Sequence, residues 1–186
     1  KELKKLKDKF KLYPRDLIDS LDENEIPRLS NRDRYSFIVF RALSNSSSIP
    51  VGIFLSKNFI ITVHSKTIKP ISNFFKIMFS KEGTEVFSKG IDFLFYKIIS
   101  EMNRNLHKEL NDFDDKLEKI EDRVLKNKSH NIDEVFPLKK QITKYGRAIS
   151  SNLEIIEKLQ NKTGKFIADK NYIFLNGVHV EIAQAE

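Results

Sequence analysis

IDFLFYKIISEMNRNLHKELNDFDDKLEKIEDRV, residues 91–124, carries Ile91, Phe95, Ile98, Met102, Leu106, Leu110, Phe113, Leu117, Ile120 and Val124 at steps of three and four. No proline or glycine interrupts it. Apolar residues at this period fall on one face of an α-helix. The stretch predicts a helix of about 35 residues, roughly 50 Å long at the usual rise. A pattern this long points to a coiled coil or a projecting stalk.

The residues just beyond it favour a hairpin. NKSHN, residues 127–131, supplies polar turn residues. A second stripe then runs through Val135, Leu138, Ile142, Tyr145, Ile149, Leu153, Ile156 and Leu159. So short a connection makes the two helices antiparallel neighbours. Gly164 is placed to end the second helix. A third long helix is expected to begin near Ile167 and to run out of the chain, because AQAE offers neither glycine stop nor proline breaker. One stripe cannot bury itself, so a third helix or further copies of the chain must cover it.

The first half reads differently. Leu3, Leu6 and Phe10 share one face of a short helix over 2–12. A second helix opens at Pro14, carries Leu17, Ile18 and Leu21, and ends before Pro27. YSFIVFRAL, 35–43, is aromatic and β-branched and predicts a strand. SNSSSIP reads as a loop. Strands at 51–55 and 59–64 form a hairpin around Ser56-Lys57-Asn58. A helix over 70–80 comes after them, then a glycine-punctuated loop from Gly83 to Gly90. The fold expected is α+β, an αβα layered part over 1–90 followed over 91–186 by the antiparallel helical hairpin and the start of the third helix.

Composition narrows the function. The chain has 186 residues, no cysteine and a net charge of +7. Disulfides, thiolate metal sites and cysteine nucleophiles are excluded. No apolar run reaches the length of a membrane span, and KELKKLKDKF lacks the apolar core of a signal peptide. The charge is uneven: residues 1–90 hold 17 Lys and Arg against 10 Asp and Glu, and the remainder holds 16 of each. A basic half suits nucleic acid or an anionic membrane surface.

No phosphate loop, GxSxG, HExxH or HxH motif occurs. His64, His107, His130 and His179 are scattered and read as structural or solvated. No enzyme is expected. The carboxylates are more informative. Asp16, Asp19 and Asp22 recur at i, i+3 and i+6, with Glu23 and Glu25 beyond. Like charges on one face repel, and a hard divalent cation relieves them. The plainer reading is a solvated acidic face. Asp112, Asp114, Asp115, Glu118, Glu121 and Asp122 alternate with Lys116, Lys119 and Arg123. They read as the exposed face of the long helix. The lysines of residues 1–11 lack interleaved aromatics for base stacking, so no nucleic-acid partner is expected.

The ordered set YPRDLIDSLDENEIPR, YSFIVFRAL, VGIFLSKNFIITVHS, GIDFLFYKIISEM, DFDDKLEKIEDRVL, LKKQITKYGRAIS and FIADKNYIFLNGVHVEIAQAE resembles the cytoplasmic domain of the CorA-type magnesium and cobalt transporters. The resemblance covers nearly the whole chain. It implies a homopentameric channel at the cell membrane that admits Mg2+, with Co2+ or Ni2+ as further ions. This chain would be its regulatory part at the cytoplasmic face, joined to the membrane through C-terminal helices beyond residue 186. Divalent ions between neighbouring domains would hold the pore closed. By the resemblance Asp19 matches the regulatory aspartate. The residue before it, often glutamate in the family, is Ile18. A long-helix aspartate of some members is Ser100, and the opposing interfacial aspartate falls on Val180, beside Glu181. Two carboxylates of the family site are thus missing, and the substitute metal set expected here is Asp19 with Asp22 facing Glu181 of a neighbour. Two other readings stay open: a helical-hairpin oligomerisation scaffold without a metal role, and a basic RNA-binding module.

Overall fold

The computed structural model describes residues 2–127 and 132–186. Two short helices, α1 (Glu2–Phe10) and α2 (Pro14–Asp19), precede an antiparallel sheet of β1 (Arg28–Asn31), β2 (Ser36–Ser44), β3 (Ser47–Leu55) and β4 (Ile60–Val63) in the order β1-β2-β3-β4. Helices α3 (Lys69–Met78) and α4 (Lys81–Ser88) lead into α5 (Ile91–Asn127), α6 (Ile132–Lys158) and α7 (Tyr172–Ala183).

The central strands are buried on both faces, and the period of two divides their side chains between two cores. Phe37, Val39 and Phe54 meet Leu12 and Leu17, with Leu3, Leu6 and Phe10 of α1 packed against them. Ile38, Phe40, Ala42, Val51, Ile53 and Leu55 point to the other face and join α3, α5, α6 and α7. The domain is thus layered αβα, as expected, with the long helices belonging to the larger core.

The 37 residues of α5 span about 55 Å. It buries Phe95, Ile98, Met102, Leu106 and Phe113, while Leu117 is 38% exposed. On α6 the buried line runs through Leu138, Tyr145, Ala148, Ile149, Asn152, Ile155 and Ile156, and continues to Leu159 just past its end. Val135 and Ile142, expected on the stripe, face outward. The turn expected at 127–131, and His130 with it, lies outside the described residues after Asn127. Leu175, Val178 and Ile182 of α7 complete the larger core, so a third helix covers the inner part of the hairpin's stripe and leaves residues such as Leu117 exposed.

Several local expectations are corrected. The second helix stops at Asp19 rather than near Pro27. β1 is an addition, because Arg28-Leu29-Ser30-Asn31 carries no strand signal of its own. It forms by pairing with residues 36–39 of β2. Most of the SNSSSIP loop belongs to strands: β2 runs to Ser44, β3 starts at Ser47, and Asn45 and Ser46 turn between them at φ of 51° and 60°. Two consecutive positive φ values suit the twist of a tight hairpin. The Gly83–Gly90 loop is largely the helix α4. A Cβ on Gly83 would lie 2.1 Å from the Met78 carbonyl oxygen, so the glycine allows the two helices to turn sharply on each other. α7 begins at Tyr172, after a short helical turn at 169–171.

Candidate functional site

The acidic helix α2 packs on the smaller core through Leu17. Its C-terminal end comes very close to β3: a Cβ on Gly52 would lie 2.1 Å from Ser20 Oγ. Ser20 in turn donates to the Asp16 carbonyl at 2.7 Å. Glycine at 52 thereby sets where the acidic residues stand.

Two of those residues are not solvated. Asp16 is fully buried, and its oxygens accept from Arg32 Nη2 at 2.7 Å, Arg32 Nε at 3.1 Å and the Tyr35 hydroxyl at 2.7 Å. Arg32 also lies over the Tyr13 ring, 5.1 Å from its centroid. The hydrogen bond to Asp16 pushes the Arg32 guanidinium above its usual range. Burial, reinforced by the adjacent Asp16 carboxylate, pushes the Tyr35 phenol well up. Asp19 is 3% exposed. One oxygen meets Arg15 Nε at 2.8 Å and the other Arg28 Nη2 at 2.5 Å. Arg28 also bridges to Glu25 at 3.0 Å and lies over Phe37. Burial raises the Glu25 carboxyl, with Arg28 opposing and Asp19 and Asp22 adding to the rise. The expected solvated face is in fact a buried ion-pair cluster. The arginines that close it sit at 28 and 32, flanking β1, a pairing legible in sequence only once β1 is placed.

Asp22 differs from its neighbours. It is exposed, and its Oδ1 accepts the Asn24 amide at 2.9 Å. Glu181 is also exposed and stands on α7, where Asn103 Nδ2 of α5 donates to it at 2.7 Å. The Asn103 Oδ1 is buried without a hydrogen-bond partner. α2 and α7 pack on opposite faces of the sheet, so one chain does not bring Asp19 and Asp22 to its own Glu181. Among the described residues no group of three or more His, Asp or Glu side chains is placed to hold a metal within one chain. Ile18 and Val180, where the resemblance leads one to look for carboxylates, are 62% and 54% exposed.

The acidic residues of α5 from Asp112 to Asp122 are exposed, as read from the sequence. The remaining histidines have modest roles. His64 Nδ1 meets the Lys66 carbonyl at 2.6 Å, and His179 lies 3.5 Å from Glu157. No helix among the described residues is long and apolar enough to cross a membrane.

A family model described as CorA-like Mg2+ transporter protein matches residues 1–186, and the chain belongs to that family. Among individual relatives, it is 30% identical over 165 residues to the cobalt/magnesium transport protein CorA of Methanocaldococcus jannaschii. The alignment covers 87% of this chain and 52% of that protein, so the chain spans about half the length of this curated relative. The solved soluble domain of the M. jannaschii CorA superposes with a TM-score of 0.88 at 27% identity, over 99% of this chain and 75% of that one. The complete structure of the same transporter gives 0.87, over 99% and 59%. The ZntB cytoplasmic domain of Vibrio parahaemolyticus shares the fold with a TM-score of 0.75 at 11% identity.

Proposed function

We propose that this chain is the cytoplasmic part of a homopentameric magnesium and cobalt transporter, and that it senses divalent cations at its subunit interfaces to gate ion entry. The observation that carries this reading is the match of 99% of the chain to the CorA soluble domain at a TM-score of 0.88. The proposed site joins Asp19 and Asp22 of one copy to Glu181 of the next.

The donor set suits the ion. Mg2+ keeps several waters and takes one or two carboxylates, and Asp22 and Glu181 are both exposed. Asp19 already has an arginine on each oxygen, but the Arg15 side chain is 80% exposed and free to swing away. A divalent ion would take its place, while Arg28 stays. Bringing Asp22 to the Glu181 of a neighbour costs like-charge repulsion in the absence of the ion and gains an attraction in its presence. Loss of ions therefore loosens the interface. α7, packed on α5 and α6, would carry that change toward the membrane segments.

The test is Mg2+-dependent protease protection and sedimentation of the wild type against Asp22→Ala/Glu181→Ala. Added Mg2+ should slow cleavage and shift sedimentation of the wild type, and the double variant should lose both effects. A variant that responds like the wild type removes the site. A wild type indifferent to Mg2+ removes the sensing role and leaves a scaffold.

A further inference from the structure

On the flank of the sheet, α6, the start of β3 and the segment after α2 enclose a cleft of about 420 Å3, within the range of small-ligand sites. Its charge is lopsided. Arg41, Lys66, Lys144 and Arg147 line it, against one carboxylate, Glu23. Glu23 is bound to Lys66 at 2.7 Å. Among the described residues, that leaves Arg41, Lys144 and Arg147 without a carboxylate of their own in the cleft.

The cleft is built rather than incidental. The Arg41 guanidinium is fixed by Ser48 Oγ at 2.7 Å and by the carbonyls of Ser48, Glu25 and Glu23 at 2.7, 2.7 and 3.1 Å. Four neutral acceptors hold the group in place, and the one carboxylate near it, Glu23, is shared with Lys66. Burial pulls this guanidinium below its usual range, with Glu23 opposing. Across the cleft, Lys144, Arg147 and Ser151 recur at i, i+3 and i+7 on one face of α6. The position of α6 relative to Arg41 is set by Asn152, whose Oδ1 accepts the Arg41 amide at 2.9 Å and whose Nδ2 donates to the Arg41 carbonyl at 2.8 Å. α6 thus presents Lys144 and Arg147, both exposed, on the cleft that Arg41 lines from β2.

An excess of cations around a hydroxyl-bearing cleft suits a ligand with several anionic oxygens. We propose that this cleft binds a small polyphosphate anion, with Arg41 contributing its fixed charge and its one remaining Nη1 hydrogen, and Lys144 and Arg147 as the closing pair. Arg41 and α6 would then share one ligand, which ties the β2–β3 hairpin more firmly to the helical hairpin.

Calorimetric titration with inorganic pyrophosphate tests this at physiological ionic strength. The 186-residue chain should show saturable binding at one site, tighter than for orthophosphate. Lys144→Glu/Arg147→Glu should weaken it by about tenfold or more, since each charge-assisted contact is among the stronger hydrogen bonds. Lys144→Gln/Arg147→Gln should give a smaller loss. Lys4→Glu/Lys7→Glu on α1 changes the net charge equally and should bind like the wild type. Absence of saturable binding, or equal loss in the α1 variant, overturns the proposal. So does retention on phosphatidylglycerol vesicles that pyrophosphate fails to compete, which would make the face a lipid surface.

Discussion

Glu109 on α5 illustrates how much one carboxylate can organise. Its two oxygens accept the amides of Asn45 and Ser46 at 2.9 and 3.0 Å, the two left-handed residues of the β2–β3 turn. The Tyr145 hydroxyl of α6 donates to the same carboxylate at 3.1 Å and accepts from Gln141 at 2.9 Å. Turn, long helix and returning helix therefore meet at one side chain. Burial raises the Tyr145 phenol to about 12, and the Glu109 charge adds to the rise while the Gln141 hydrogen bond opposes it. The sign follows from linkage. The folded protein holds this proton above the pH at which the unfolded chain releases it, so the contribution is complete below about pH 10 and is lost as the pH climbs toward 12. Urea unfolding across that window should show stability falling, and Tyr145→Phe should make the fall shallower while lowering stability at neutral pH by about 1 kcal/mol for the lost hydrogen bond. An unchanged slope would mean that other groups carry the alkaline loss. None of this contact set is visible in the sequence, where Glu109 is one more charge on a charged helix and Tyr145 one more apolar step.

Among the elements, the position of α2 depends on the close approach at Gly52. Adding a Cβ there puts carbon 2.6 Å from Ser20 Cβ and 2.1 Å from Ser20 Oγ. Gly52→Ala should destabilise the fold by about 1–3 kcal/mol, the usual range for overpacking. Adding Ser20→Gly should recover much of that loss. Ser20→Ala should recover less, because its Cβ remains. Thermal unfolding of the three variants checks the order, and equal recovery by the two would contradict the contact. Element by element, legibility tracks the strength of local patterning. The uninterrupted stripe of α5 reads almost to its ends, and YSFIVFRAL within a residue of β2. β1 escapes because its four residues depend on β2 for pairing, and α4 because Gly83 looks like a loop when it serves a close helix crossing. On α6, Ala148 and Asn152 turn inward where a purely apolar reading prefers Val135 and Ile142. The acidic residues of α2 stand on mixed signals: the spacing of Asp16 and Asp19 is plain, but two of the arginines that bury them, Arg28 and Arg32, come from beyond α2.

For the molecule as a whole, the two cores give the protein a graded stability. On the long helices the large core extends outward as far as Phe113 on α5 and Leu138 on α6. Beyond Phe113 the side chains from Asp114 to Lys119 are exposed, and Ile120 is only partly covered. Local opening is easiest where few apolar contacts oppose it. Amide exchange should therefore be fast from 114 to 123 and slowest over 93–106, by about two orders of magnitude or more for a domain of ordinary stability. Uniform protection along α5 would show that something else covers its outer third.

Asn152 gives α6 a mechanical property. Beyond the β1 pairing, which stops at Val39, the free edge of β2 at Arg41 is closed by this side chain in place of a strand. Two hydrogen bonds from one amide resist rotation of the helix about its axis as well as sliding along it. Asn152 divides α6 unequally, with about 30 Å of helix from it back to Ile132 and about 9 Å on to Lys158. Were the helix to tilt rigidly about this point, a sideways displacement at the long end would arrive at the short end reversed in direction and reduced about threefold.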